Sequence, residues 1–217
     1  GMSHGHISFI LGRPDKGDFE LVGIWENDDE LVQSLSSRFQ FDRKIVYSEL
    51  IEMLDKEKPE AVVAFGSIYD HLKVVEACAP RGIHVMVEKP LAVNRKHAKR
   101  MADLAKMHQI HLLTNYETSW YPTTAKSLKM VEENFVGPIR KVVVHDGHKG
   151  PKEINVSKYF LDWLTDPVLN GGGAVVDFGC YGANLMTAIM LENKPVSITS
   201  VLRTFKPDVY PKVDDEA

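Results

Sequence analysis

From residue 19 onward, short apolar runs bounded by polar residues alternate with stretches whose apolar residues recur at helical spacing. A strand covered on both faces reads as an unbroken apolar run, and a crossover helix carries one apolar stripe. The rhythm therefore predicts βαβ units and a parallel sheet with helices on both faces. Residues 19–25 predict a strand, and 28–39 a helix with Leu31, Leu35 and Phe39 on one side. Residues 61–65 and 84–87 predict two buried strands, joined by a helix over 69–81 that turns Leu72, Val75 and Cys78 to one face and is interrupted near Pro80. Asn94 stands where a helix cap is needed, ahead of Ala98, Met101 and Ala105 facing inward, and 110–113 predicts the last strand of this half.

The texture changes after about residue 116. Residues 116–122 are aromatic and polar and precede a helix ending near Gly137 and Pro138. Residues 139–144 and 196–202 predict strands, and 150–170 is mostly irregular with a helical patch at 159–164. Gly171, Gly172 and Gly173 open another helix that runs to about Leu191. A boundary near 115–120 divides the chain into an α/β half, 1–116, and an α+β half, 117–217.

Composition removes several classes. The apolar runs reach four to six residues, far short of the roughly 20 that span a bilayer. With 26 Lys and Arg against 30 Asp and Glu, the net charge is −4, which argues against nucleic acid as a partner. Two cysteines, Cys78 and Cys180, are too few for a disulfide framework, and residues 1–6 show no signal-peptide pattern. A soluble protein of a reducing, cytoplasmic compartment is expected.

Three places could carry chemistry. Glu88-Lys89-Pro90 closes a buried strand, and ligands of open α/β sheets sit beyond the carboxyl ends of strands, so Lys89 is aimed at the crevice unless it is only a solvated strand end. Asp177 and Tyr181 fall at i and i+4 on the helix after the glycine run, where the plainer reading is a helix start with a half-buried tyrosine. Brought together, Lys89, Asp177 and Tyr181 supply a cation, a carboxylate and a phenol for proton transfer, the ammonium lowering the phenol from about 10 toward the operating pH. Glu26 ends the strand of 19–25 amid Asn27, Asp28 and Asp29. In a dinucleotide-binding fold that acid bonds the adenosine ribose and repels a 2′-phosphate, favouring NAD over NADP; alone it is the start of an acidic helix cap. His4-x-His6 and His145-x-x-His148 lack a third ligand at a recognisable spacing, so no metal is expected. The basic run from Arg95 to Arg100 is read as a solvated helix face.

Taken together these residues resemble the Gfo/Idh/MocA family of NAD(P)-dependent sugar and polyol oxidoreductases, glucose-fructose oxidoreductase among them, over nearly the whole chain. The likeness is carried by residues 61–91, with Gly66, His71 and the Glu88-Lys89-Pro90 signature, and by 171–181 with its glycines, Asp177 and Tyr181. It implies a Rossmann-like doubly wound parallel sheet followed by an α+β substrate and oligomerisation domain. It implies that Lys89 binds the reacting oxygen, that Asp177 orients the sugar, and that Tyr181, which stands where many members have His, transfers the proton. Asn184 stands where an Asp is common. Glu117 and Trp120 line the pocket near the nicotinamide, and His148 and Trp163 the substrate side. For the cofactor it implies Glu26, Gly66, His71, Glu88 and Lys89, with Ser3, His4 and Gly5 in the phosphate loop. That loop departs from Gly-x-Gly-x-x-Gly, because Ser3 and His6 replace two glycines and Gly5 is displaced by one.

The resemblance also places a strand ahead of this loop and further strands after Ala217, so the chain is expected to be truncated at both ends, with the first strand missing and the second domain incomplete. The partners it implies are NAD, a small sugar or polyol, and a second copy of the chain where the C-terminal sheet is present. Two alternatives stay open: a glycosidase that oxidises its sugar transiently with NAD, and an inactive relative serving as a binding or structural module.

Overall fold

The computed structural model describes residues 1–13, 17–190 and 193–217. Strands β1 (Ile24–Trp25) and β2 (Val46–Tyr47) form one parallel pair, with Ile24 opposite Val46. Strands β3 (Ala61–Ala64), β4 (His84–Glu88) and β5 (Leu112–Asn115) form a second parallel sheet in that order. Each crossover passes through a helix: α2 (Asp29–Phe39), α3 (Leu50–Glu57), α4 (Asp70–Cys78) and α5 (Arg95–His108), while a short α1 (Ser8–Leu11) precedes β1. Of the strand expected over 19–25, only Ile24 and Trp25 enter a ladder, because β2 offers two partners. The N-terminal segment lies beside both sheets: Met2 N donates to Glu26 Oε2 (2.7 Å), next to β1, and His4 N to the carbonyl of Phe65 (2.8 Å), next to β3.

Local chemistry explains the helix limits. Asp28 Oδ1 accepts from Leu31 N and Asn94 Oδ1 from His97 N, each at 2.9 Å, so short polar side chains satisfy first-turn donors that have no intrahelical partner. Gln40 and Gln109 close α2 and α5 in the left-handed conformation. Val75 and Cys78 of α4, Val85 and Val87 of β4 and Met101 of α5 are almost wholly buried together, which fixes β4 at the centre of the layer. A second cluster gathers Met2, Ile7, Ile24, Leu31 and Phe65 around the N-terminal segment. Burying a large apolar side chain contributes about 1.5–3 kcal/mol, so these clusters hold the carboxyl ends of β1, β3 and β4 in place.

The second half contains α6 (Pro122–Glu132), α7 (Lys158–Leu164), α8 (Ala174–Asp177) and α9 (Gly179–Met190). Two expectations are corrected. Residues 139–144 and 196–202 are not strands; among the described residues this half shows one isolated antiparallel bridge, Arg203 with Glu216. Apolar alternation supplies a face, but a strand exists only as one side of a hydrogen-bonded ladder, and here Val196 is fully exposed. The helix after the glycines is also broken. In an unbroken α-helix the Asp177 carbonyl would accept from Tyr181 N, which instead bonds Phe178 O at 3.0 Å. The Asp177 carbonyl faces Lys89 Nζ (3.0 Å) and Cys180 Sγ (3.3 Å). The expected end of that helix, Leu191, lies outside the described residues.

Candidate active site

Glu88 and Lys89 stand at the carboxyl end of β4, one of the most buried strands, and are 1% and 7% exposed. The Lys89–Pro90 peptide is cis. Lys89 Nζ donates to both the carboxylate and the carbonyl of Asp177, which is also buried. A buried ammonium needs partners for its charge and its N–H groups, and one residue at the helix break supplies both. Nζ lies 5.0 Å from the centroid of the Tyr181 ring and 5.7 Å from that of Phe178. The cation thus rests against ring faces, and among the described residues no side chain or backbone group bonds the Tyr181 hydroxyl.

The expected activation of Tyr181 is corrected by this geometry. Burial, with the nearby carboxylates of Asp177, Glu117 and Glu88 adding to it, pushes the phenol well above its ordinary value. Tyr181 therefore stays protonated and can act as a donor. Its ring lies 6.1 Å from that of Tyr116, whose phenol burial pushes up to about 12.

Glu88 anchors a polar network. Its Oε1 accepts from Asn115 Nδ2 (2.7 Å) and pairs with His6 Nδ1 (3.0 Å), and His6 Nε2 faces Glu117 at 3.4 Å. Burial raises the Glu88 carboxyl, but its surroundings, the hydrogen bonds from His6 and Asn115 among them, outweigh it and hold the group below its ordinary range. His4 Nδ1 accepts from His6 N (3.1 Å), and burial lowers its pKa to about 3, so the ring is neutral and carries its proton on Nε2. Ligand-type atoms of His4, His6 and Glu88 lie within 4.8 Å of one another, so Glu88 supplies the third partner that His4-x-His6 lacks in the sequence. Two of the three are already joined by the His6–Glu88 hydrogen bond, and His4 accepts from His6 N. His148, of the other histidine pair, accepts from Gly150 N and packs edge-on against Phe178 at 4.8 Å.

A cleft of about 460 Å³ opens between the two sheets, and its lining includes Gly1, Ser3, Glu26, Gly66 and His71. A Cβ on Gly1 would stand 3.1 Å from Gly66 Cα, so two glycines allow the segments their close approach. Glu26 accepts from Met2 N through one oxygen and from Asn27 N and Asp28 N through the other. His71 is wholly buried; its Nδ1 donates to the Leu91 carbonyl (3.1 Å), and its Nε2 has no partner among the described residues. Burial lowers His71 to about 4, so that Nε2 is a bare acceptor in a residue that lines the cleft. A dinucleotide fits these groups: glycine backbone for phosphates, a carboxylate for ribose hydroxyls, and an acceptor for a hydroxyl or amide donor.

A second cavity of about 810 Å³ is lined by His148, Asp177, Phe178 and Asp214. The structure thus brings together Lys89, Asp177, Tyr181 and His148, and separately Ser3, Glu26, Gly66 and His71. Glu117 joins the Glu88 network, whereas Trp120 is 69% exposed and bonds Asn115 Oδ1 at the rim. Trp163 donates to Ser3 Oγ (2.9 Å) and lines the 460 Å³ cleft. Gly5 lies in a short turn with open space around it, and Asn184 donates to Ser119 Oγ. Asn115 and Asp214 escape the sequence reading. The first is legible from strand register, since it pairs with Glu88 across β4 and β5; nothing in the sequence marks the second.

A parallel sheet with a glycine-lined cleft at its carboxyl ends, beside a buried Lys–Asp pair, defines a dinucleotide-binding α/β protein. The chain belongs to the GFO/IDH/MocA family. Residues 2–116 match the oxidoreductase family model described as an NAD-binding Rossmann fold, and 124–217 match the GFO/IDH/MocA C-terminal domain. It is 23% identical over 184 residues to trans-1,2-dihydrobenzene-1,2-diol dehydrogenase of Xenopus tropicalis, covering 84% of this chain and 52% of that one. It is 24% identical over 204 residues to the NADP-dependent D-xylose 1-dehydrogenase of Haloarcula marismortui, covering 93% and 55%. Among solved structures, aldose-aldose oxidoreductase from Caulobacter crescentus superposes with a TM-score of 0.71 at 22% identity, covering 90% of this chain and 57% of that one. The chain thus spans about half the length of the curated relatives it matches. Among the described residues no helix is long and apolar enough to cross a membrane.

Proposed function

We propose that the chain forms the catalytic part of an NAD-dependent dehydrogenase acting on a CH–OH group of a sugar or polyol. The observation that carries this reading is the Lys89–Asp177 pair. An ammonium has three N–H donors, and Asp177 takes two of them. The third is left for the oxygen of a substrate, and Asp177 itself lines the 810 Å³ cavity.

NAD, when bound, supplies the redox chemistry by accepting hydride at its nicotinamide. Glu26 would hold the ribose hydroxyls, residues 1–3 and Gly66 the phosphates, and His71 Nε2 one further donor. Lys89 binds the hydroxyl oxygen of the substrate and passes one of its own protons to the Asp177 carboxylate as it takes the hydroxyl proton. The carbon loses hydride, which carries both electrons, the oxygen loses its proton, and the C–O bond becomes a carbonyl, so hydride and proton leave by separate routes. Tyr181, held as a phenol, donates a hydrogen bond that orients the substrate. The relatives named as xylose and dihydrodiol dehydrogenases support the CH–OH class, and the Glu26 carboxylate supports NAD over NADP. A homo-oligomer in the cytoplasm belongs to the same reading; exposed Val196, Ile198 and Phe205 support an apolar contact face, and light scattering tests it.

The test is to incubate the full chain with NAD and a panel of aldoses, polyols and anhydrosugars and follow NADH absorbance, with NAD affinity measured by calorimetry. Turnover on members of the panel and micromolar-range NAD binding are expected. An active preparation whose Lys89→Met variant still turns over would remove Lys89 from the mechanism.

A further inference from the structure

We infer that Asp214 is a positioning residue of the Lys89–Asp177 pair; the inference rests on the dehydrogenase reading of that pair. Helix α8 is four residues long, too short to hold its own shape, since a single turn fixes several dihedrals for one hydrogen bond. Its amino end is held from outside. Gly173 N donates to Asp214 Oδ1 (3.0 Å), Ala174 N to the Asp214 carbonyl (2.9 Å) and Val175 N to Asp214 Oδ2 (2.8 Å). Three successive N–H groups, orphans at any helix start, thus end on one residue. Its negative charge also suits the positive end of the helix.

The glycines make this contact possible. A Cβ on Gly173 would fall 2.0 Å from the Asp214 carbonyl oxygen, and one on Gly171 (φ 88°) would fall 2.8 Å from the Val93 carbonyl oxygen. The run is a seam in which backbone meets backbone, with Asp214 on one side and the segment that follows Lys89 and Pro90 on the other. One turn beyond the seam, Asp177 presents its carbonyl and carboxylate to Lys89 Nζ. Asp214 sits on a braced support: Arg203 N donates to Glu216 O (2.9 Å), and the Asp215 carboxylate accepts from Phe205 N (2.7 Å) and Lys206 N (2.8 Å). Asp214 and Asp177 line the same 810 Å³ cavity with His148. Asp214 acts on the reaction through the angle at which α8 delivers Asp177, and so through the substrate-facing N–H of Lys89.

The experiment compares wild type, Asp214→Asn and Asp214→Ala in the full chain by amine acetylation read residue by residue in a mass spectrometer, with thermal unfolding alongside. Lys89 is nearly buried and tied to Asp177, so it reacts slowly in wild type. In Asp214→Ala its acetylation rises at least about fivefold, while exposed Lys99 and Lys129 keep their rates. Asp214→Asn, which retains one acceptor oxygen, falls between, and it carries the comparison if the alanine variant does not fold. In kinetics, KM for the sugar rises by about tenfold or more with NADH affinity unchanged. Wild-type chain inert toward every sugar defeats the dehydrogenase reading but leaves the acetylation result standing. Lys89 labelling at the wild-type rate in both variants, or a rise shared equally by Lys99 and Lys129, overturns the inference.

Discussion

Lys89 Nζ and Asp177 form a buried ion pair that joins the carboxyl end of a central strand to a helix break 88 positions further along the chain. Each group is the compensation for the other. Replacing Lys89 by Met leaves a buried carboxylate without its cation, at a cost of about 3–5 kcal/mol. Urea denaturation should show that loss, and NADH formation should disappear while calorimetric NAD binding persists.

Tyr181→Phe separates ring from hydroxyl. The ring stays against Lys89, and among the described residues the lost hydroxyl has no partner, so the unfolding midpoint should barely move, by under about 0.5 kcal/mol. If the hydroxyl orients the substrate, kcat/KM falls about 10–100-fold. Because burial holds the phenol above its ordinary range, the pH profile of the wild type should show no limb near neutrality that the Phe variant lacks. A limb that vanishes with the hydroxyl would restore Tyr181 as the titrating group.

The first half of the fold is legible in the sequence because its strands are short apolar runs and its caps are local, although Val63 of β3 and Leu113 of β5 are exposed rather than covered on both faces. Asn94 caps α5 through His97 N as its position predicts. Lys89 and Asp177 are legible as site residues, but their bond is not, since nothing along the chain says that the Asp177 carbonyl leaves its helix. Nor could periodicity reveal that the strands expected at 139–144 and 196–202 find no ladder among the described residues. Pairing is a property of two segments, and alternation is a property of one. The expectation for Tyr181 fails for a related reason: the ammonium lies close by, but burial, a tertiary quantity, decides the direction.

His71 and His4 make stability depend on acid. Burial lowers His71 from 6.5 to about 4 and His4 from 6.5 to about 3. Above pH 6.5 both are neutral whether folded or unfolded. Between 6.5 and 4 the unfolded chain binds protons that the native state refuses, so stability falls as pH falls. Lowering the pH from 7 to 4.5 should remove about 2–3 kcal/mol through His71 alone. His71→Asn should flatten that part of the curve. Denaturant midpoints at the two pH values test it, and equal slopes for variant and wild type would assign the dependence elsewhere.

Glu26 sets the cofactor preference if its carboxylate faces the adenosine ribose. Three backbone N–H groups, of Met2, Asn27 and Asp28, already fix both of its oxygens, so the charge cannot swing away from an incoming 2′-phosphate. Repulsion between two such charges a few ångströms apart at a protein surface amounts to a few kcal/mol, about 4 at 4 Å. Glu26→Gln removes that repulsion and also turns an amide donor toward donors. NAD should therefore bind about tenfold more weakly. The NAD-to-NADP affinity ratio, measured by NADH and NADPH fluorescence titration, should fall by about 10–100-fold. A preserved ratio in a variant that binds both weakly would mean that Glu26 only builds the loop, and that discrimination lies with the neighbouring Asn27 and Asp28, which line the same cleft.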